Sequence, residues 1–271
     1  MIDTLVFSGG GIKIVYYIGI LKYLEEKNMI KDINTFIGSS CGSIFSLLII
    51  LGFNSEELYK IIINLELNKI INEYDIINFL DNYGVCSSDN IINIIKIIIK
   101  NKLKIDDTSN LTFTELYKLN KKKIIIVGTN ITDNKSEYFS VDTCPNMNIL
   151  DAIRISINIP FFFNKIKYND KYYIDGGVLN DYPINYSDNL DNTLGICSYK
   201  QTHSKIKDFN SYILSIINLF YNKVVNDITE EQKKKNIFIN SELNPINFNI
   251  SNDTILKCKN EGYEYIKKFF E

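Results

Sequence analysis

A chain of 271 residues with 45% hydrophobic residues is long enough to bury a large core, and we predict one domain over residues 1–271. Its formal net charge of −2 disfavours a nucleic-acid partner, because phosphate binding needs clustered positive charge. The five cysteines are scattered, odd in number and without metal-ligand spacing, which favours free thiols in a reducing compartment.

The first elements predicted along the chain are a strand, a glycine turn and a helix. The apolar residues 4–7 lead into Gly9-Gly10-Gly11-Ile12-Lys13, and an amphipathic stretch then covers residues 14–26. Such a turn directs backbone N–H groups at one point and suits a phosphate or a developing oxyanion. The spacing fits neither a dinucleotide fingerprint nor a P-loop. A turn without a ligand is the alternative interpretation.

The next motif, Gly38-Ser39-Ser40-Cys41-Gly42, has the pattern of a nucleophile elbow. It follows a predicted strand at residues 35–37 and precedes a predicted helix at residues 42–51. A strand-to-helix turn this tight leaves no room for side chains beside the nucleophile, so Gly38 and Gly42 are a steric requirement of holding Ser40 exposed. An ordinary Gly/Ser turn is the alternative.

The rest of the chain alternates between helical and strand patterns. Residues 55–117 are mostly helical with a break near Gly84, and such an insertion would cap the site. Further strands are predicted at residues 123–128, 137–141, 171–174, 193–199 and 237–240, with helical residues after Lys205 and a closing helix at residues 253–270. The alternation predicts an α/β fold with a parallel sheet and a mostly helical extension over residues 205–271.

A third motif follows the strand predicted at residues 171–174. Asp175 lies at the strand end before Gly176 and Gly177, where a carboxylate can come close to a ligand or another backbone. Asp-Gly is also the commonest hairpin signal, so a simple turn is the alternative.

The histidine content decides between mechanisms. A Ser-His-Asp triad needs an imidazole, and the chain has one histidine, His203, in a polar stretch that reads as a solvated loop. We therefore expect Asp175 to accept the Ser40 proton itself, directly or through water. His203 stays an alternative, because its place after Asp175 fits the order of α/β-hydrolase triads. Cys41 lacks a local cation that would activate a thiol, so we interpret it as a small packing residue.

Together the three motifs resemble those of the patatin-like phospholipases. Gly9 to Lys13 is similar to that family's oxyanion turn, Gly38 to Gly42 to its nucleophile elbow, and Asp175 to Gly177 to its dyad motif. The likeness extends over about residues 4–185. Three motifs in this order are far more specific than any one of them.

The resemblance implies a three-layer α/β/α fold with a mostly parallel central sheet and a helical insertion near the active site. It implies a catalytic dyad of Ser40 and Asp175 that hydrolyses acyl esters of lipids without a histidine. The oxyanion hole would comprise Gly9, Gly10, Gly11 and Cys41. Supporting positions are Lys13, Gly38, Gly42, Gly176 and Gly177. No cofactor and no metal are implied.

Two positions depart from the family pattern. Ile14 stands where most members have a glycine after the basic residue, and Asp181 stands where an asparagine is usual. We expect both departures to affect efficiency rather than the identity of the reaction.

The hypothesis is therefore a phospholipase A-type acyl hydrolase whose partner is a phospholipid or another acyl-ester lipid. An esterase for neutral lipids or lysophospholipids, and a noncatalytic binding protein on the same fold, are the alternatives. No signal peptide or bilayer-spanning segment is recognised, so we expect a soluble cytoplasmic or host-intracellular protein that meets membranes transiently. Residues 212–225 would form either an interfacial helix or one face of a core helix.

Overall fold

The computed structural model describes residues 1–65, 76–199 and 228–271, with single positions at 206, 211, 212, 215, 216 and 219. Within these residues the strands, in chain order, are β1 (Thr4–Phe7), β2 (Thr35–Ser39), β3 (Gly84–Cys86), β4 (Lys123–Asn130), β5 (Lys135–Phe139), β6 (Phe161–Phe163), β7 (Ile166–Tyr168), β8 (Lys171–Asp175), β9 (Thr193–Tyr199) and β10 (Asn236–Asn240). Eight of these strands form one sheet, while β3 and β6 form a separate parallel pair.

The large sheet has the order β10-β9-β1-β2-β4-β8-β7, with β5 also paired to β4. Its five strands from β10 to β4 are parallel to their neighbours, whereas β5, β7 and β8 pair in antiparallel fashion. Strands of a parallel sheet are buried on both faces and therefore read as continuous apolar runs. β1 has this character, since all four of its residues are buried.

The helices of the described residues are α1 (Ile14–Glu26), α2 (Cys41–Ile50), α3 (Ser55–Asn64), α4 (Ile76–Asn82), α5 (Asp89–Leu103), α6 (Phe113–Asn120), α7 (Ile149–Ser156), α8 (Gly177–Asn180), α9 (Glu230–Lys234) and α10 (Asn252–Phe270). Several begin where an N-cap side chain satisfies a free backbone N–H. Asn54 and Glu57 form a reciprocal capping box at the start of α3, and Ser251 caps α10.

Alternating residues of the strands pack into two separate hydrophobic cores, one on each face of the sheet. Leu5 and Phe7 face a large core together with helices α1, α2, α5, α7 and α10, whereas Val6 between them faces a smaller core that contains Tyr182 and Ile184. The same alternation holds in β2 and β4, because successive side chains of a strand point to opposite faces. The fold is therefore a mixed α/β fold whose central sheet is covered on both faces, as expected.

The predicted elements agree with the structure at most places and differ at a few. β1, α1 and β9 have the predicted bounds, while β5 begins and ends two residues earlier than predicted. The short strands β3, β6 and β7 were not predicted. His203 lies outside the described residues, as does most of the segment 212–225. No helix in the described part of the chain is both long and apolar enough to cross a bilayer.

The packing of α1 against α10 depends on two glycines. A methyl group at Gly19 of α1 would overlap the carbonyl oxygen of Lys259, and one at Gly262 of α10 would overlap that of Tyr16. Each helix therefore reaches the backbone of the other, and no larger side chain fits between them.

Gly19→Ala should therefore destabilise the protein by about 1–3 kcal/mol, although alanine is the better helix former by about 1 kcal/mol. Urea unfolding of the wild type, Gly19→Ala and Gly52→Ala measures the effect. Gly52 has open space around it but a φ of +83°, so its replacement should cost only about 1 kcal/mol. An unchanged or raised stability of Gly19→Ala would contradict the close packing.

Candidate active site

Two strands, β2 and β8, meet end to end along one edge of β4. β2 pairs in parallel with β4 as far as Val127, and β8 pairs in antiparallel fashion from Gly128 onwards. β5 pairs with the same part of β4, so it occupies the opposite edge. Since β2 and β8 run towards each other, their last residues lie side by side, and the sheet register brings Ser40 next to Asp175.

Ser40 lies in a strained turn between β2 and α2. Its φ of +50° and ψ of −125° are unusual for a residue with a side chain. The flanking glycines permit the turn, because a methyl group at Gly38 would come to 2.5 Å from the carbonyl carbon of Gly42, and one at Gly42 to 2.5 Å from the Phe7 oxygen. Ser40 is only 6% exposed and faces a cavity rather than an open surface.

A short hydrogen bond joins Ser40 to Asp175. The Ser40 hydroxyl donates to Asp175 Oδ2 at 2.7 Å, and the Gly177 N–H donates to Oδ1 of the same carboxylate at 2.7 Å. Asp175 is followed by the helical turn α8, so the hairpin interpretation of its Asp-Gly pair is wrong. The α8 backbone instead orients the carboxylate towards the serine.

Burial controls the protonation of Asp175. The side chain has no exposed surface, and the loss of hydration raises its pKa from 3.8 to about 7. The hydrogen bonds from Ser40 and Gly177 act in the opposite direction and lower the pKa. The result is a carboxylate with a pKa near neutrality, which a general base requires.

The glycine turn lies against the elbow. Gly9 donates its N–H to the Asp181 carbonyl at 3.1 Å, so this N–H is already used, and the prediction that Gly9 supplies an oxyanion donor is wrong. The Ser198 hydroxyl donates to the Gly9 carbonyl at 3.1 Å. Because the C=O and N–H of one planar peptide point in opposite directions, this bond directs the Gly10 N–H away from Ser198.

The N–H groups of Gly10, Gly11 and Cys41 lie near Ser40 and have no backbone acceptor within the described residues. Gly10 and Gly11 have φ values of +134° and +56°, which favour glycine. The Gly11 N–H lies beside the Cys41 thiol, and burial raises the pKa of that thiol far above its usual range. Cys41 is therefore a neutral packing residue, in agreement with the sequence interpretation.

The supporting positions lie around the same point. Lys13 is buried in the short helical turn that follows the glycines, and its N–H donates to the Gly10 carbonyl at 3.2 Å. A methyl group at Gly176 would overlap the Val127 carbonyl oxygen. Gly176 therefore lets the chain after Asp175 lie directly on β4.

Ser156, at the end of α7, links the two halves of the site. Its hydroxyl accepts the Ser40 N–H at 2.9 Å, and its carbonyl accepts the Gly176 N–H at 3.2 Å. Two residues later, the Asn158 carbonyl accepts the Asp175 N–H at 2.8 Å. Sequence reasoning singled out neither as a site residue, because both act through contacts with distant segments.

An apolar cavity of about 160 Å³ opens beside Ser40. Helices α1, α2, α3 and α5 and strand β6 supply its walls, with Ile14, Ile44, Ile95, Ile98 and Phe162 among the lining residues. Besides Ser40 and Cys41, its lining is apolar or glycine in the described part of the chain. α3 and α5 belong to the predicted helical insertion, so this insertion lines the cavity beside Ser40.

Comparisons with known proteins agree with this geometry. The model of the patatin-like phospholipase family matches residues 5–188. The chain belongs to the patatin-like phospholipase family. It is 32% identical over 224 residues to the protein of Invertebrate iridescent virus 6 named "Probable lipid hydrolase 463L", a match covering 80% of this chain and 70% of that protein. It is also 28% identical over 269 residues to protein R571 of Acanthamoeba polyphaga mimivirus, covering 92% and 87% of the two chains.

Solved structures share the patatin-like fold at low sequence identity. VipD from Legionella pneumophila superposes with a TM-score of 0.68 at 18% identity, covering 98% of this chain and 66% of that one. ExoU of Pseudomonas aeruginosa, solved in complex with SpcU, gives a TM-score of 0.56 at 14% identity. That match covers 99% of this chain and 52% of the other, so the chain spans about half the length of this neighbour.

The buried carboxyl of Asp175 should make stability depend on pH. Its pKa is higher in the folded than in the unfolded chain, so the folded state loses relative stability as pH rises from about 4 through about 7. Asp175→Asn removes this penalty and should gain a few kcal/mol over the wild type across that window. Chemical unfolding at several pH values measures it.

Ser40→Ala is the matched control, since it alters the same hydrogen bond but keeps the carboxyl. It should retain the pH dependence of the wild type. The difference in unfolding free energy between Asp175→Asn and the wild type should therefore change with pH. A difference that is the same at every pH would contradict a raised pKa of Asp175.

Proposed function

We propose that the chain hydrolyses carboxylic esters of phospholipids, as a phospholipase A-type enzyme, with Ser40 as nucleophile and Asp175 as base. The observation that carries the proposal is the 2.7 Å hydrogen bond from the Ser40 hydroxyl to a buried carboxylate, at the end of an apolar cavity. Membership of a phospholipase family and the likeness to a protein named as a lipid hydrolase support lipid ester hydrolysis.

The first step forms an acyl-enzyme. Asp175 takes the hydroxyl proton as Ser40 Oγ attacks the ester carbonyl, and the carbonyl oxygen becomes an oxyanion. The N–H groups of Gly10, Gly11 and Cys41 donate to that oxyanion. As the intermediate collapses, the C–O bond to the alcohol breaks and Asp175 returns its proton to the leaving oxygen. The lysolipid departs, while the acyl chain stays esterified to Ser40.

The second step reverses these roles with water. Asp175 removes a proton from the attacking water, and the same N–H groups stabilise the second oxyanion. The bond between the acyl carbon and Ser40 Oγ then breaks, Oγ regains the proton from Asp175, and the fatty acid leaves. Asp175 serves as the base in both steps, because it accepts a proton from the attacking oxygen each time, first from Ser40 Oγ and then from water.

The dyad predicts a clear mutational pattern on phospholipid vesicles. Ser40→Ala and Asp175→Asn should each lower kcat/KM for fatty-acid release by about 1000-fold or more, because each removes the proton transfer. His203→Ala should keep most of the activity, since Asp175 contacts the serine without an intervening imidazole. The opposite pattern, with activity lost in His203→Ala and kept in Asp175→Asn, would contradict the dyad.

The cavity predicts a dependence on acyl length. Ile98 lines the cavity, whereas its neighbour Ile97 on α5 is 58% exposed. Ile98→Phe should lower the ratio of long-chain to short-chain ester hydrolysis by about tenfold, because the larger ring occupies space used by the acyl chain.

Ile97→Phe makes the same change in side chain on the outer face and should leave the ratio close to that of the wild type. Hydrolysis rates for a series of p-nitrophenyl esters of increasing chain length measure it. Identical chain-length profiles in the two variants would place the acyl chain elsewhere.

A further inference from the structure

Three buried side-chain oxygens have no hydrogen-bond partner among the described residues, and all three belong to segments that form the site. They are Ser39 Oγ, Asn158 Oδ1 and Asp181 Oδ1. Only Asp181 of these three can carry a charge. A buried carboxylate oxygen without a donor is costly when ionised, so its protonation state matters.

Asp181 lies directly against the glycine turn. It follows α8 and is 3% exposed, and its carbonyl accepts the Gly9 N–H. A methyl group at Gly9 would overlap Asp181 Oδ1 and come to 3.1 Å from Ser40 Cβ. One glycine carbon therefore separates this carboxyl from the nucleophile.

The groups around Asp181 come from four elements. Asp175 of β8 repels a negative charge there, whereas Lys13 and the Gly9 N–H favour one. The thiols of Cys41 on α2 and Cys197 on β9 are both neutral, since burial raises the pKa of each. Burial dominates for Asp181 itself and, with the charge of Asp175, raises its pKa to about 8.

We propose that Asp181 acts as a neutral carboxylic acid beside the oxyanion turn, and that its ionisation switches the site off. An ionised Asp181 would face the developing oxyanion across Gly9 and oppose its formation. The protonated form carries no charge and turns an acceptor without a partner into a donor. This inference rests on the proposed Ser40–Asp175 mechanism and adds a residue that acts through charge.

The active form then holds one proton between two buried carboxyls, with Asp175 ionised and Asp181 protonated. Two such groups titrate as a coupled pair, so a profile of kcat/KM against pH should be bell-shaped. Its acid limb lies near pH 7 and its alkaline limb near pH 8.

The test compares the wild type with Asp181→Asn, which keeps the shape of the side chain and removes its charge. The readout is kcat/KM for p-nitrophenyl butyrate from about pH 6 to about pH 10, corrected for spontaneous hydrolysis. At about pH 9 the wild type should retain about a tenth of its maximum, because one pH unit above the pKa leaves a tenth of Asp181 protonated. Asp181→Asn should lose the alkaline limb and keep the acid limb.

Asp188→Asn is the matched control, because it makes the same substitution at an exposed carboxylate away from the nucleophile. Its profile should match that of the wild type. An alkaline limb that persists unchanged in Asp181→Asn, or is absent from the wild type, would overturn the inference.

Infrared spectra of the wild type provide a readout independent of activity. The carbonyl band of a protonated carboxyl should be strong at about pH 7.5 and disappear by about pH 10. In Asp181→Asn it should fall at about pH 7.5 to the smaller contribution of Asp175. A wild type without such a band would overturn the inference even if Asp181→Asn fails to fold. Absence of ester hydrolysis at every pH would overturn the proposed function instead, and the band would then decide the protonation of Asp181 separately.

Discussion

The meeting of β2 and β8 on one edge of β4 determines the geometry of the whole site. The parallel strand β2 pairs with the first part of β4 and the antiparallel strand β8 with the last part, so the two approach each other with their carboxyl ends. The residues that follow those ends, the elbow at Ser40 and the turn at Gly176, therefore lie in contact without any long connection. Ser156 then binds both segments, so the site is part of the rigid sheet and of α7.

Burial sets the pKa values of the carboxyl groups that this geometry brings to the serine. The same loss of hydration that makes Asp175 costly to ionise also raises its pKa to about 7, where a carboxylate serves as a base. Asp181, six residues after Asp175 in the sequence, is also buried, and the loss of hydration raises its pKa as well. The chain therefore keeps two destabilising carboxyls next to its nucleophile, an arrangement that is typical of functional sites rather than of structural cores.

Much of the fold was predictable because its signals are local. The apolar run of β1 and the amphipathic pattern of α1 gave bounds that match the structure. β3, β6 and β7 have three residues each, too few for a period-two pattern to stand out, and they exist through pairing with distant segments. β5 lies two residues from its predicted place because its register is fixed by pairing with β4.

For the site, the motifs located the reacting groups but not their neighbours. Ser40 and Asp175 stand out because their glycine neighbours are a local steric requirement. The acceptor role of Ser156 and the closeness of Asp181 to Gly9 arise only through space, since they come from α7 and from the residue after α8. Gly9 was assigned a donor role because its hydrogen bond to Asp181 joins segments far apart in the sequence and cannot be recognised from a local pattern.

The most direct measurement is peptide mapping after reaction of the wild-type protein with a fluorophosphonate, which modifies activated serines. A single adduct on the peptide that contains Ser40, absent after reaction of Ser40→Ala, is the predicted result, because the Ser40 hydroxyl donates to the buried carboxylate of Asp175. A folded protein that forms no adduct on Ser40, even when lipid vesicles are added, would contradict an activated serine at this site.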